Sequence, residues 1–196
     1  MGHSQAEKAR NHHRIVQLAS ARFRELGIDG ISVADLMKEA GMTHGGFYKH
    51  FPSRDDLVTE AVEYALTSGA KNVARVEALD HRSALLALIN GYLSVAHRDA
   101  KANGCAVVAL AADTARANPK VRAAYSAQVS RYLQLLARLT ECATDTVARK
   151  RAIMLLSALV GALGLARAVD DERLSVEILE ATADGLIDSI DAPPEP

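Results

Sequence analysis

Tryptophan is absent from this chain of 196 residues, and with three Phe and five Tyr the aromatics reach only 4%. β-Sandwiches and barrels draw on Val, Ile, Thr and aromatic side chains, so this shortage weighs against strands. Cysteine occurs twice, at Cys105 and Cys142. Neither belongs to a C-x-x-C pair and no His cluster has zinc-finger spacing, which excludes a disulfide scaffold and a structural zinc site. Twelve Gly and five Pro are too few for a collagen-like or proline-rich chain, and 49% hydrophobic residues are too many for a disordered one. The G-x-G-x-x-G, G-x-x-x-x-G-K-[ST], G-x-S-x-G and H-E-x-x-H motifs are all missing. No enzyme, cofactor or metal is therefore expected. The first 14 residues are polar, unlike a signal peptide. The most apolar stretch, Ala152–Ala166, spans roughly 22 Å as a helix, short of the ~30 Å hydrocarbon core. Arg149, Lys150, Arg151 and Arg167 close it off. It reads as a buried helix in a cytoplasmic protein, with no membrane partner.

What remains is rich in Ala and Leu, and period-two alternation never lasts beyond four residues. The expectation is an all-α chain of about nine helices. Its net charge of −1 is unevenly spread. Residues 1–54 carry eight Lys/Arg against five acids and hold five of the seven His, while the rest carries 15 against 19. A basic head on an acidic body suits a polyanion-binding module joined to a second domain.

Apolar periodicity and caps place the elements. A first helix over Gln5–Leu26 carries Ile15, Leu18, Ala19, Phe23 and Leu26 on one face and stops at Gly27. Ser32 caps a second helix, Val33–Ala40, which Gly41 ends. Thr43 caps a third, very short helix through His50, and Ser53 caps a fourth, about Arg54–Leu79, with Asp55 and Asp56 at its positive end. Further helices follow at Ser83–Arg98, Cys105–Ala117, Lys120–Cys142, Asp145–Val169 and Asp171–Ile190. The implied division is a polyanion-binding head over 1–54, a helical body over 55–190 and a disordered tail over 191–196.

Two short helices joined by a Gly-containing turn behind a longer one describe a helix-turn-helix. The third helix is too short to stand alone, so Phe47 and Phe51 must pack it onto the first two. That leaves Thr43, His44, Tyr48, Lys49 and His50 facing solvent. Gly45 and Gly46 cost about 1 kcal/mol each against Ala in a helix, and the compensating gain is close approach of backbone N–H groups to a phosphate or groove wall.

The run Gly41-Met42-Thr43-His44-Gly45-Gly46-Phe47-Tyr48-Lys49-His50-Phe51-Pro52-Ser53-Arg54-Asp55-Asp56-Leu57, with Ile31–Leu36 before it, resembles the DNA-binding head of the TetR family of transcriptional repressors. The resemblance covers about residues 10–60. It implies phosphate contacts from Thr43, Tyr48 and His50, with Ser32 at the start of the second helix. Lys49 and His44 stand where family members reach bases or phosphates, and Arg54 opens the helix that clamps the backbone. Tyr48 could instead pack on the first helix. His44 departs from the family's usual Lys, Ser or Arg and offers only a pH-dependent cation.

In that family the body dimerises and binds a small effector that lowers affinity for double-stranded operator DNA. This sequence supports each half. Ala158, Gly161, Ala162 and Leu165 lie at close-packing spacing beside Leu155, Leu159 and Leu163, and Leu179, Ala183, Leu186, Ile187 and Ile190 follow on the last helix. Two copies of helices 145–169 and 171–190 would form a four-helix homodimer interface. Candidate effector-binding residues are Tyr92, Cys105, Tyr125, Gln128 and Tyr132, polar groups on apolar stripes that could equally be core. Transmission to the head is expected through the fourth helix. Two alternatives stay open: a DNA-binding protein without a ligand, and a repressor in which Cys105, placed in the first turn of its helix behind Asn103-Gly104, senses oxidants or electrophiles.

Overall fold

The computed structural model describes residues 5–68, 79–140 and 144–191. Its α-helices are α1 (Gln5–Leu26), α2 (Val33–Glu39), α3 (Arg54–Thr67), α4 (His81–Tyr92), α5 (Val95–Asp99), α6 (Ala106–Ala109), α7 (Ala111–Arg116), α8 (Pro119–Leu139), α9 (Asp145–Ala168) and α10 (Glu172–Asp191). Short 3-10 helices occupy His44–Lys49 and Lys101–Asn103, and no strand occurs among the described residues. The expected all-α class is what the chain adopts. Cys142, the segment 69–78 and the tail beyond residue 191 lie outside the described residues.

Ser32 and Ser53 cap their helices as the sequence predicts. The Ser32 hydroxyl accepts from Asp35 N at 3.1 Å and donates to its carboxylate at 2.6 Å. Ser53 treats Asp56 in the same way, at 3.2 and 2.7 Å. Each pair satisfies one amide left open in a first turn and fixes the hydroxyl against the carboxylate. Asn118 Oδ1 accepts from Lys120 N and Val121 N with Pro119 at the first helical position, and Thr144 Oγ1 accepts from Val147 N. Gly27 and Gly41 take left-handed φ of 81° and 69°, the conformation that turns the chain out of α1 and α2.

Two expected helices are broken. Ser83–Arg98 ends at Leu93, because Ser94 Oγ accepts from His97 N at 3.1 Å and so starts α5 afresh. Cys105–Ala117 is two short helices meeting at Leu110 (φ −112°, ψ 8°), a side chain fully withdrawn from solvent. Burial of Leu110 outweighs continuation of the helix.

The chain divides into two compact units, residues 1–68 with 101–126 and residues 69–100 with 127–196. In the first, α1 lies along α3, and the core gathers Ile15, Ala19, Phe23, Leu36, Met37, Leu57 and Val62. In the second, α9 and α10 pack together around Leu155, Leu159, Leu163 and Leu179, with α4 and α5 against them. There the Arg98 guanidinium binds both Glu172 oxygens (3.0 and 2.9 Å) and Ser175 Oγ (2.8 Å). Arg167 donates to the carbonyls of His97 and Arg98. Together these hold α5 to the turn between α9 and α10.

Helix α9 runs Asp145–Ala168, one residue short of the expected Asp145–Val169 and well beyond the apolar stretch Ala152–Ala166. It runs for 24 residues, long and apolar enough to cross a membrane by length and composition, and only 33% of its most apolar window is buried. The expected all-round covering is therefore incomplete within one chain.

Candidate nucleic-acid interface

The 44–49 segment is a 3-10 helix, closed by bonds from Gly46 N to Thr43 O and from His50 N to Phe47 O, both 2.9 Å. Two glycines and Pro52 just beyond leave too little propensity for an α-helical turn, and 3-10 bonding is the fallback for so short a piece. Phe47 and Phe51, each 1% exposed, stack at 5.4 Å and hold it to the core. The same attachment turns the remaining side chains outward. Thr43, His44, Gly45 and Lys49 are exposed, and Tyr48 is 67% exposed. The Tyr48 ring stands edge-on to Phe47 at 5.2 Å and near His44 at 6.4 Å, so it is not packed on α1. Thr43 caps the segment by position but its side chain makes no capping bond. A Cβ added at Gly45 would meet nothing within 4 Å, so no atom of this chain requires glycine there.

The other three candidates have work inside the chain. Ser32 is engaged by Asp35. Arg54 donates to the Ile28 carbonyl at 2.6 Å and pairs with Asp29 at 3.1 Å, pinning the loop between α1 and α2. His50 is half-buried, with His12 6.1 Å away, and its buried Nδ1 has no hydrogen-bond partner among the described residues. Burial holds this imidazole below its ordinary value, and His12, Lys8 and Lys49 act in the same direction. In the free protein this favours the neutral ring, which can donate a hydrogen bond to a phosphate.

Several supporting residues are not visible in the sequence. Arg14 on α1 donates to the Ala40 carbonyl at the end of α2. His12 Nε2 lies 2.6 Å from Glu60 Oε2 and the ring stacks on Phe51 at 4.5 Å, tying α1 to α3 over the base of the 3-10 helix. Asp113 of α7 accepts from Ile28 N at 3.3 Å. Arg24, 8% exposed, donates to Ser68 Oγ at 3.2 Å and to the Gly104 carbonyl at 3.5 Å. These partners stand 26 to 85 positions apart, so no local pattern announces them.

Of the candidate effector-binding residues, Cys105 and Tyr125 belong to the first unit and Tyr92, Gln128 and Tyr132 to the second. Tyr125 Oη donates to the Val107 carbonyl at 2.8 Å, and burial raises its phenol above the ordinary value. Tyr92 meets His97 edge-on at 4.8 Å. Gln128 is buried and accepts from Arg131 at 3.2 Å. Cys105 is half-buried at the cap of α6 and makes no capping bond. The helix after it is a single turn of four residues, not the Cys105–Ala117 helix whose dipole the sequence suggested.

A capped pair of short helices with a polar, outward-facing second member defines the helix-turn-helix class of DNA-binding regulators. Residues 15–61 match the family model for bacterial regulatory proteins of the tetR family, and residues 82–181 match that for the C-terminal domain of LmrA/YxaF-like transcriptional regulators. The chain belongs to the TetR family of transcriptional regulators, which are DNA-binding proteins and not enzymes. An uncharacterised HTH-type transcriptional regulator of Bacillus subtilis, YvdT, is 36% identical over 56 residues, a match spanning 29% of each chain. A TetR regulator from Chloroflexus aurantiacus superposes with a TM-score of 0.81 at 23% identity, over 95% of this chain and 97% of that one. AibR, solved with isovaleryl coenzyme A and operator DNA, superposes with a TM-score of 0.66 at 18% identity, over 91% and 97%.

Proposed function

We propose that this regulator is a homodimeric repressor that sets one 44–49 helix in the major groove at each half of a partly palindromic operator and is released by a small-molecule effector. The observation that carries the DNA reading is the 3-10 helix itself: anchored by Phe47 and Phe51, bare at Gly45, and presenting Thr43, His44, Tyr48 and Lys49 outward. So short a helix touches few base pairs, and specificity then calls for two copies. Residues 1–54 serve as the DNA-binding domain and 55–190 as the body, a division supported by where the two family models match. The setting is the cytoplasm, where such DNA is met.

Dimerisation through α9 and α10 is supported by the apolar surface they leave open. Met154 is 63% exposed, Leu165 58%, Ile153 45% and Leu174 42%. An exposed apolar patch of this kind marks an interface. A Cβ built at Gly161 or Gly185 meets nothing within 4 Å, which leaves room for a second backbone.

The effector reading rests on the family's ligand-responsive habit, with AibR, solved with an acyl-coenzyme A and operator together, as a related example. Tyr92, Cys105, Tyr125, Gln128 and Tyr132 are the proposed effector-binding side chains. Besides α3, the bonds Tyr125–Val107, Asp113–Ile28 and Arg24–Gly104 supply a route from α8 through α6 and α7 to the head loop. Coupling of this kind is typically ~1–3 kcal/mol and reciprocal.

The test uses duplexes selected from a random library by the purified protein. Lys49→Ala should weaken binding and flatten the salt slope by about one unit for each phosphate that the lysine neutralises. A protein that stays monomeric on such a duplex at micromolar concentration overturns the proposal.

A further inference from the structure

The last two helices carry opposite charge. Helix α9 holds Arg149, Lys150, Arg151 and Arg167 against Asp145 alone, and α10 holds six acids against Arg173 alone. The charges are also placed unevenly. Arg149, Lys150 and Arg151 are consecutive and exposed, one turn into α9. Glu177, Glu180 and Asp184 recur at three and four residues, so they form one exposed stripe along α10. None of these six groups has an ion-pair partner among the described residues.

Each charged group borders apolar surface that is open in one chain. On α9, Lys150 shares a face with Val147, Met154, Gly161 and Leu165, opposite the buried Leu155, Leu159 and Leu163. On α10, the acidic stripe runs beside Leu174, Ala181 and Gly185, and with Glu172, Arg173, Val176 and Ala181 it lines a shallow, open groove of about 540 Å³. Apolar surface invites any apolar partner. Unpaired charges of opposite sign beside it restrict the choice to a surface carrying the inverse pattern. A second copy of this chain has that pattern on its own α9 and α10.

We propose that the α9–α10 surface is a self-recognition site in which Arg149, Lys150 and Arg151 of one protomer pair with the Glu177, Glu180 and Asp184 stripe of a second copy, two such sets per dimer related by the two-fold axis. This rests on the dimer reading above and deepens it. The apolar centre supplies affinity, and the charges select the same chain over relatives built on the same scaffold. A two-fold interface brings each set into play twice, so a single charge reversal is felt at both places.

Sedimentation of the full-length protein tests the pairing. The wild-type dimer dissociation constant should rise about tenfold between roughly 50 and 500 mM NaCl, as surface ion pairs are screened. The triple variant R149E/K150E/R151E and the triple variant E177K/E180K/D184K should each dissociate at least about tenfold more readily than wild type. An equimolar mixture of the two should restore a heterodimer of near wild-type affinity, which also establishes that both variants are folded. Variants that dimerise as wild type does, a mixture that stays monomeric, or a salt-independent wild-type constant overturns the pairing. Met154→Glu separates the two levels. If it leaves the dimer intact, the α9–α10 interface itself is wrong. If it yields monomer while the charge variants do not, only the charge pairing fails.

Discussion

Gly45→Ala separates stability from DNA binding by moving them in opposite directions. The residue lies inside the 44–49 helix, its φ is not among the positive ones, and an added Cβ meets no atom within 4 Å. Alanine therefore fits the folded chain without strain. It removes freedom from the unfolded chain, a gain of ~0.4–1 kcal/mol. For a protein of this length that raises Tm by roughly 1–4 °C. DNA binding should respond the other way. If the bare backbone at Gly45 lets a phosphate or groove wall approach, a methyl group there intrudes on that approach. Overpacking of this kind costs about 1–3 kcal/mol, or roughly five- to 150-fold in affinity at each half-site. Thermal melts and fluorescence anisotropy with a library-selected duplex read the two effects on the same samples. An alanine variant that is more stable and binds DNA as wild type does would refute the close-approach account. A fall in Tm would show that the segment needs glycine for its own conformation.

Arg54→Ala loses the bond to the Ile28 carbonyl and an ion pair with the well-exposed Asp29, the second worth little. A loss of about 1 kcal/mol, or a Tm lower by roughly 2–4 °C, is expected, with the salt slope of DNA binding unchanged. A slope lower by about one unit would mean that Arg54 reaches a phosphate and does not merely hold the loop. His50 and His97 are both held below their ordinary value of 6.5, chiefly by burial. Just below that value the unfolded chain binds more protons than the folded one, so stability should fall as pH drops through 6.5 and level off above about pH 7. Denaturant midpoints should show this slope flattened in a His50→Asn/His97→Asn variant, and an equal slope in both proteins would refute it. After dilute peroxide, wild type and Cys105→Ser should hold a selected duplex equally, because Cys105 is half-buried before a single helical turn. Release from the wild type alone would make Cys105 a thiol sensor.

The sequence by itself determined the elements whose signals are local. Helix α1 ends at the expected Leu26, and Ser32 and Ser53 cap the helices they announce. A cap is a bond between a side chain and an amide two or three residues on, so it can be read in one dimension. The Phe47-Tyr48-x-His50-Phe51 run likewise told inward from outward, because a helix that short must be held by its aromatics. Tertiary structure decided what depends on partners distant in sequence. It broke an expected helix at the buried Leu110 and assigned Arg54 to a loop carbonyl 26 positions away. It also brought Asp113 to Ile28 across 85 positions and left α9 open along one face. Periodicity reports that a face is apolar, but only the packed chain determines whether its own helices cover it or a second molecule must.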